Sequence, residues 1–473
     1  MEKKHIHFIG VKGVGMAPLA LIAKQAGFIV TGSDLDKEFI TDAALTKAGI
    51  QPQIGFSEEH ITSPDLVITT GAHQGFDNPE VVAAKAKQIP VITQGEAVGV
   101  FMRGELFGKK FKGISVAGTH GKTTTTAMLA TVFSANQLDP SYVIGTGDVG
   151  SLSNPGHFGQ GNYFIAEADE YMTEPKYDKT IKFLWQHPEF AVITNIEYDH
   201  PDVYASVDEV RVAFSKFAEQ VSATGALIVC GDDRQVQKLL QNYQKKVITY
   251  GFNPENDYVL QRVTVSGERT FFWVESKGMS LGEFVLPVPG EHNALNALAV
   301  IIVSLEVGLP IEKIKKGLLA FRGSKRRLEF IGELLTGAKV YDDYAHHPTE
   351  IKKTLMTLRQ QYPKKKIVCI FQPHTYSRTK MLFTEFAKAF ANLDELFVII
   401  TDIYASAREA PDNAVSGKKL VDAISLTQRD VHYLPGLADV VQYINEKGFR
   451  ADTILVTLGA GDIYTIHSKL NFV

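Results

Sequence analysis

Short apolar segments alternate with segments of helical pattern along nearly the whole chain. The first apolar run spans His5–Ile9, a helical stretch follows from about 14 to 26, and a second apolar run covers 28–32. Strands that alternate with helices usually pair in parallel, because each helix carries the chain back across a face of the sheet. The alternation therefore predicts an α/β fold with helices on the faces of parallel sheets.

Two interruptions divide this alternation into three blocks. The first is a Gly- and Lys-rich stretch at 104–113, which we interpret as a linker, and the second is the break near Gly323-Ser324-Lys325. The chain has 473 residues, and about 150 residues per domain is a reasonable prior. We therefore predict three tandem α/β domains, over 1–108, 109–323 and 324–473.

Composition and charge narrow the classes of function. With 49 Lys and Arg against 53 Asp and Glu, the net charge is −4, so no basic excess favours a nucleic acid or an anionic membrane. Cys230 and Cys369 are too few for a disulfide framework and are expected to be buried thiols. Apolar runs stay well below the ~20 residues that span a bilayer. We expect a cytoplasmic protein with no membrane insertion and no nucleic-acid partner.

A glycine-rich loop follows the first predicted strand and leads into the first helix. Its glycines are Gly10, Gly13 and Gly15, and small residues there let backbone N–H groups approach a phosphate. Asp34, about 20 residues further on, is placed to bind a ribose hydroxyl. The spacing is G-x-x-G-x-G rather than the dinucleotide pattern G-x-G-x-x-G. A nucleotide site, for NAD or for another nucleotide, and a plain tight turn both remain open.

A second glycine-rich loop lies between the first strand of the middle block and the helix after it. Lys122 is placed to reach β- and γ-phosphates, and the Thr123 hydroxyl is placed to ligate Mg²⁺. Val116 stands where a strict Walker sequence has its first glycine. Strand, Gly-Lys-Thr and helix together still predict a mononucleotide site. The predicted cofactor-binding residues of this loop are Gly118, Thr119, Gly121, Lys122, Thr123 and Thr124.

Acidic residues and a histidine follow two later strands of the middle block. Glu167 begins a Glu-Ala-Asp-Glu segment, and His200 ends an Asn-Ile-Glu-Tyr-Asp-His segment. The carboxyl ends of parallel strands meet at one edge of a sheet, so these residues are expected to face the crevice of the Lys122 loop. We predict that Thr123, Glu167 and His200 hold a metal ion there.

The third block carries two polar clusters just past predicted strands. Cationic, aromatic and polar groups together suit the binding of a small carboxylate and the stabilisation of developing negative charge. The adjacent His346 and His347 invite a zinc interpretation, but two neighbours with diverging side chains are too few ligands. The predicted substrate-binding residues of this block are Tyr344, His346, His374 and Arg378.

Taken together, these motifs resemble the Mur ligases, ATP-dependent amide-forming enzymes of peptidoglycan precursor synthesis. The similarity also includes Gly290-Glu291-His292-Asn293-Ala294-Leu295-Asn296 and Arg326-Arg327, and it covers essentially the whole chain. It implies a Rossmann-like N-terminal domain for a UDP-sugar, bound through Gly10, Gly13, Gly15 and Asp34. It further implies a central ATPase domain of P-loop type and a Rossmann-like C-terminal domain for the amino acid.

The resemblance also implies chemical roles for single residues. Asn293 is expected to contact ATP and Arg327 its phosphates. The cofactors implied are ATP and Mg²⁺. The residues expected to be catalytic are Lys122, Glu167, His200, Arg327 and His346.

The substrates that the resemblance implies are UDP-N-acetylmuramate and L-alanine. The alternative acceptor is the tripeptide L-alanyl-γ-D-glutamyl-meso-diaminopimelate, because the segment at 171–187 is similar to that of the tripeptide ligases. Two remoter alternatives are an NAD-dependent oxidoreductase and a non-catalytic UDP-sugar-binding protein. The oxidoreductase leaves the Lys122 loop unexplained, and a binding protein needs no set of residues for phosphoryl transfer.

Overall fold

The computed structural model describes residues 4–391, 393–405 and 409–473. In these ranges the chain forms three α/β domains in tandem, each built on its own mainly parallel sheet. The predicted fold class is thereby confirmed. Within the same ranges, every helix is too short or too polar to cross a membrane.

The N-terminal domain contains a five-stranded parallel sheet in the order β3-β2-β1-β4-β5. Its strands are β1 His5–Ile9, β2 Ile29–Asp34, β3 Gln53–Ile54, β4 Leu66–Thr69 and β5 Val91–Thr93. Its helices are α1 Ala17–Gln25, α2 Asp42–Lys47, α3 Pro79–Ala86 and α4 Gln94–Arg103. The strand order reverses at β1, and such switch points form ligand crevices in open α/β sheets. The first glycine-rich loop leaves the sheet at this point.

The central domain contains a ten-stranded sheet in the order β17-β16-β15-β14-β13-β12-β6-β9-β7-β8. Its strands are β6 Lys112–Ala117, β7 Ser141–Val143, β8 Gly156–His157, β9 Tyr163–Glu167, β12 Phe190–Ile193, β13 Ala226–Cys230, β14 Val247–Gly251, β15 Tyr258–Ser266, β16 Arg269–Ser276 and β17 Met279–Leu286. A separate antiparallel hairpin is formed by β10 Met172–Glu174 and β11 Asp178–Ile181. The middle of the large sheet is parallel, and antiparallel β15–β17 extend one edge.

Helices cover both faces of the central sheet. They are α5 Lys122–Ala135, α6 Val207–Ala218, α7 Arg234–Leu240, α8 Glu291–Glu306 and α9 Ile311–Ala320. Buried side chains of α5, α8 and α9 pack on one face, and those of α6 and α7 pack on the other. Strand residues alternate between these two cores: Ile228 belongs to the first, Leu227 and Val229 to the second. The sheet is therefore buried on both faces, which fits its continuous apolar strands.

The C-terminal domain contains a six-stranded sheet in the order β18-β19-β23-β20-β21-β22. Its strands are β18 Glu329–Glu333, β19 Lys339–Asp343, β20 Lys366–Phe371, β21 Leu396–Ile400, β22 Val431–Tyr433 and β23 Thr453–Leu458. Its helices are α10 Pro348–Gln361, α11 Tyr376–Met381, α12 Phe383–Ala389, α13 Gly417–Ile424 and α14 Leu437–Lys447. All strand pairs are parallel except the edge pair β18 and β19.

The structure also refines two smaller predictions. Cys230 and Cys369 are buried and unpaired, as expected. The stretch at 104–113 is not wholly a solvated linker, because Lys112 begins β6 and the Lys109 Nζ donates to the carbonyl of Gln160 at 2.7 Å. The domain boundaries at 108/109 and 323/324 fall between helices and strands, and they stay predictions.

Candidate active site

The second glycine-rich loop connects β6 to α5 at the carboxyl edge of the central sheet. Gly118 and Gly121 have φ values of +134° and +82°, which side chains rarely adopt. A Cβ at Gly118 would lie 1.9 Å from Thr194 Oγ1, and one at Gly121 would lie 2.6 Å from Asn296 Oδ1. The loop thus needs glycine at both positions, and it delivers backbone N–H groups at the positive end of α5, a favourable place for phosphate.

Lys122 begins α5 and is held by a carboxylate. Its Nζ lies 2.9 Å from Glu170 Oε2 and donates to the Gly118 carbonyl at 2.6 Å. Burial opposes its charge, but the carboxylates of Glu170 and Asp169 outweigh burial and raise the pKa of Lys122. The ammonium is therefore charged and pre-positioned beside the second glycine-rich loop, which is called the phosphate loop below.

Glu167 ends β9 beside the first turn of α5. Its Oε2 accepts from Thr123 Oγ1 at 3.1 Å, and its Oε1 accepts from the Gly145 N–H at 2.6 Å. The Arg327 Nη2 donates to the same Thr123 hydroxyl at 3.1 Å. Burial, reinforced by Asp169, raises the pKa of Glu167 to about 7. A hydroxyl and a carboxylate that lacks full charge compensation fit Mg²⁺, which prefers oxygen ligands.

Glu167→Gln is expected to stabilise the ligand-free protein above pH 7. Because the pKa of Glu167 rises from 4.5 to about 7 on folding, the folded state binds more protons in this range and its stability falls as the pH increases. Removing the charge should raise the free energy of unfolding by about 1–3 kcal/mol at pH 8 and by little at pH 5. Urea unfolding of both proteins at the two pH values measures the difference. An equal difference at both would contradict the prediction.

His200 follows β12 in a turn held by its neighbour. Its φ is +55°, and its backbone N–H donates to Asp199 Oδ1 at 2.8 Å. Its Nε2 lies 3.6 Å from Glu170 Oε1 and 3.8 Å from Asp199 Oδ2. Burial lowers the pKa of His200, but the carboxylates of Asp199 and Glu170 outweigh burial, and the pKa is raised overall. The structure thus places His200 on the Glu170 side of the loop, while Thr123 contacts Glu167. Metal ligation by all three residues stays a prediction.

A cavity of about 280 Å³ lies between the central sheet and the C-terminal domain. Its wall includes the predicted residues Gly121, Thr124, Asn293 and Arg327. The remaining wall contains residues that the sequence analysis did not select, among them Tyr250, Asn296, Asp343, Glu350 and Lys353. The cavity borders the second glycine-rich loop, and nucleotide binding there stays a prediction.

The predicted carboxylate clamp of the C-terminal domain already has a carboxylate partner. Arg378 Nε lies 2.7 Å from Asp199 Oδ1, and Nη2 lies 3.3 Å from Oδ2. Both side chains are buried, and the pKa of Asp199 falls well below its usual range, since Arg378 outweighs the effect of burial. His374 Nδ1 lies 3.2 Å from Arg378 Nη1. Arg378 therefore joins two domains here, and its contact with substrate stays a prediction.

His346 and Tyr344 lie close to this clamp. The His346 Nδ1 is 3.1 Å from the Tyr344 carbonyl, so that nitrogen carries the proton and Nε2 is left as an acceptor. Burial lowers the pKa of His346 to about 4. The Tyr344 ring lies under the guanidinium of Arg327 at 5.1 Å. Neutral imidazole and cation are thus held side by side at the edge of the site.

The first glycine-rich loop is built around Asp34. Its Oδ2 accepts from the Lys12 N–H at 2.7 Å, its Oδ1 accepts from the Leu35 N–H at 2.7 Å, and the residue is 1% exposed. Gly10 donates to the Ser33 carbonyl. Asp34 therefore orders the loop backbone, and its predicted contact with a ribose stays a prediction.

Comparison with known families assigns all three domains. The model described as the Mur ligase family catalytic domain matches residues 5–105, the Mur ligase middle domain matches 116–304, and the Mur ligase glutamate ligase domain matches 326–461. The chain belongs to the Mur ligase family. It is accordingly an ATP-dependent ligase.

This Mur ligase is similar to several named relatives along nearly its full length. A UDP-N-acetylmuramate–L-alanine ligase from Desulfitobacterium hafniense (strain Y51) is 41% identical over 467 residues, which cover 98% of this chain and 99% of that protein. The crystal structure of a UDP-N-acetylmuramate–alanine ligase from Thermotoga maritima aligns with a TM-score of 0.81 at 30% identity, over 99% of this chain and 98% of that one. A murein peptide ligase from Psychrobacter arcticus 273-4 shares the fold, with a TM-score of 0.71 at 24% identity over 99% and 98%.

Some contacts of the site escaped the sequence analysis although a signal was present. Asn296 lies three residues after Asn293 on α8, so both share one helix face. Glu170 belongs to the same Glu-Ala-Asp-Glu segment as Glu167, but its pairing with Lys122 joins residues 48 apart in sequence. Asp343 ends β19 at the carboxyl edge of the sheet.

Proposed function

We propose that this Mur ligase joins L-alanine to the carboxyl group of UDP-N-acetylmuramate at the expense of ATP. The observation that carries the proposal is the set of charged groups around the second glycine-rich loop. Glu167 and Arg327, from two domains, both hydrogen-bond the Thr123 hydroxyl, and Glu170 holds the Lys122 ammonium beside the same loop. The choice of substrates rests on relatives named UDP-N-acetylmuramate–L-alanine ligase, which are 38–41% identical over nearly the whole chain.

Amide formation of this kind requires activation of the carboxylate. A carboxylate oxygen attacks the γ-phosphorus of ATP, ADP leaves, and an acyl phosphate forms. The neutral amine then attacks the acyl carbon and a tetrahedral intermediate forms. The nitrogen loses a proton, and inorganic phosphate leaves with the electron pair of the broken acyl C–O bond. The protein contributes mainly by positioning reactants and by neutralising charge.

The residues of this chain divide these tasks. Lys122 exchanges its contact with Glu170 for the β- and γ-phosphates, and Arg327 brings a second positive charge from the C-terminal domain. Mg²⁺ held by Thr123 and Glu167 would neutralise phosphate charge. His346 offers its Nε2 as an acceptor that orients the incoming amine. Because the site is assembled across domains, closure on substrate binding is expected to complete it.

The proposal is tested by phosphate release with ATP, Mg²⁺ and UDP-N-acetylmuramate while the acceptor is varied. L-Alanine should give the highest kcat/KM among free amino acids and should exceed the tripeptide L-alanyl-γ-D-glutamyl-meso-diaminopimelate. Mass spectrometry of the product should show loss of one water between the two substrates. Preference for the tripeptide would overturn the choice of acceptor, and absence of any release would overturn the ligase assignment of this site.

The first glycine-rich loop is expected to bind the uridine nucleotide and not NAD. In titration calorimetry, UDP-N-acetylmuramate should bind without ATP, and NAD should give no heat. Asp34→Ala removes two hydrogen bonds that order the loop. A charge-assisted bond contributes about 1.5–3 kcal/mol, so affinity for UDP-N-acetylmuramate should fall roughly 10- to 100-fold. Exposed Asp36 offers the matched control, since Asp36→Ala should bind as the wild type does. Tight NAD binding would contradict the assignment.

A further inference from the structure

We propose that His120, Glu197 and His347 form a site for a borderline divalent cation such as Zn²⁺, at the contact between the central and C-terminal domains. His120 belongs to the phosphate loop, Glu197 follows β12, and His347 directly precedes α10. One ligand atom of each residue lies within 4.8 Å of the ligand atoms of the other two. The site uses none of the oxygen ligands assigned to Mg²⁺, and it does not depend on the proposed substrates.

The ligand atoms already converge on one carboxylate oxygen. His120 Nε2 lies 3.5 Å from Glu197 Oε2, and His347 Nδ1 lies 3.8 Å from the same atom. Bonds of about 2.0–2.1 Å in a tetrahedral zinc site separate the ligand atoms by about 3.3 Å, so small side-chain rotations suffice. His120 is only 7% exposed, and its Nε2 has no hydrogen-bond partner within the described ranges. A buried polar nitrogen without a hydrogen bond is unusual, and a bound cation would give this nitrogen a partner.

The surrounding residues hold both imidazoles in the tautomer that metal binding needs. Glu350 Oε1 lies 3.2 Å from His120 Nδ1, so Nδ1 keeps its proton and Nε2 is the ligand atom once a cation displaces its proton. The Tyr198 carbonyl lies 3.3 Å from His347 Nε2 and leaves Nδ1 as the ligand atom, where a cation replaces a long 3.3 Å bond from the Thr349 N–H. Such carboxylate and carbonyl partners typically orient metal-bound histidines.

The donor set selects the class of cation. Imidazole nitrogen favours Zn²⁺ and similar ions, whereas Mg²⁺ prefers an all-oxygen shell. Glu350 and Glu197 outweigh burial and raise the pKa of His120 to about 9, so the cation displaces the proton that His120 carries between these carboxylates. Because His347 and Glu197 belong to different domains, a bound cation also restrains their separation.

The test is a titration of the full-length protein with Co²⁺ as a spectroscopic substitute for Zn²⁺. We expect one Co²⁺ per chain, with the intense visible d–d bands of a four-coordinate ion, in the presence of excess Mg²⁺. His347→Asn should weaken Co²⁺ binding at least tenfold, whereas His347→Asp, which supplies an oxygen near the position of Nδ1, should retain it. Asn and Asp both cap a helix N-terminus well. A difference in Co²⁺ affinity between the two variants therefore does not arise from a folding defect. Glu350→Gln should lower affinity about 10- to 100-fold.

Two further variants distinguish this site from its neighbours. Glu167→Gln alters the oxygen site and His346→Asn removes the adjacent imidazole, and neither should change the cobalt spectrum or affinity. Unfolding curves without metal check that each variant is folded. Absence of a four-coordinate spectrum, or equal Co²⁺ affinity in wild type, His347→Asn and His120→Gln, would overturn the site and leave the cluster as an ion-pair contact only.

Discussion

We expect Lys122→Ala to lower the rate of amide formation about 10²–10³-fold or more, while the affinity for UDP-N-acetylmuramate is retained. The ammonium is charged and fixed beside the phosphate loop by Glu170 and the Gly118 carbonyl. It therefore requires little reorganisation to stabilise the charge on the transferred phosphoryl group. The sugar nucleotide is assigned to the first glycine-rich loop, which belongs to another domain, so its affinity should not depend on Lys122.

The experiment needs a control for the carboxylate that the substitution leaves behind. Glu170 is 2% exposed, and an unpaired buried charge is itself strongly destabilising. The double variant Lys122→Ala/Glu170→Gln removes that charge and should be as inactive as the single variant while recovering its stability. Lys313→Ala, on the exposed side of α9, is the matched lysine control and should turn over normally. Phosphate release measures the activity, and calorimetric titration measures the affinity for UDP-N-acetylmuramate. Near-normal turnover in a folded Lys122→Ala protein would contradict the role of Lys122 in phosphoryl transfer.

Strands buried on both faces were predictable to within a few residues at each end. The predicted run His5–Ile9 has the bounds of β1, and the predicted run 28–32 largely coincides with β2, because central parallel strands are continuous apolar runs that stand out from amphipathic helices. The edge elements were missed because they lack such continuous apolar runs. The hairpin β10–β11 and the edge strand β18 are short and contain charged or polar residues, so no periodic signal marks them.

In the candidate site too, some features were predictable from the sequence and others were not. The glycine-rich loop was predictable because its backbone geometry dictates its residues, as Gly118 and Gly121 illustrate. Side-chain partners were not, since they depend on how domains meet. Arg378 and Asp199 are 179 residues apart, and the contact of His120 with His347 joins two domains. In the sequence, the neighbours His346 and His347 are too few ligands for a metal, and only the fold brings His120 to His347.

Arg378→Ala is expected to raise the Michaelis constant for L-alanine by roughly 10- to 100-fold, the equivalent of about 1.5–3 kcal/mol for a charge-assisted hydrogen bond. The Michaelis constant for ATP should barely change, because the phosphate loop has its own cations. Arg378→Lys should be similarly impaired, since an ammonium does not reproduce the planar fork that holds a carboxylate in two hydrogen bonds. The structure adds a second expected effect: loss of the partner of Asp199 should lower the free energy of unfolding by about 3–5 kcal/mol.

A double-variant cycle with Asp199→Asn separates these two effects. Asp199 is buried and accepts from Nε of Arg378 at 2.7 Å, so Arg378→Ala/Asp199→Asn no longer contains an unpaired charge and should regain most of the lost stability. If Arg378 exchanges Asp199 for the carboxylate of L-alanine during the reaction, the double variant keeps the raised Michaelis constant. If Arg378 only holds Asp199 and its neighbour His200 in place, the double variant recovers a near-normal constant for L-alanine. Steady-state kinetics of the four proteins therefore decide between a residue that binds the substrate and one that only joins two domains.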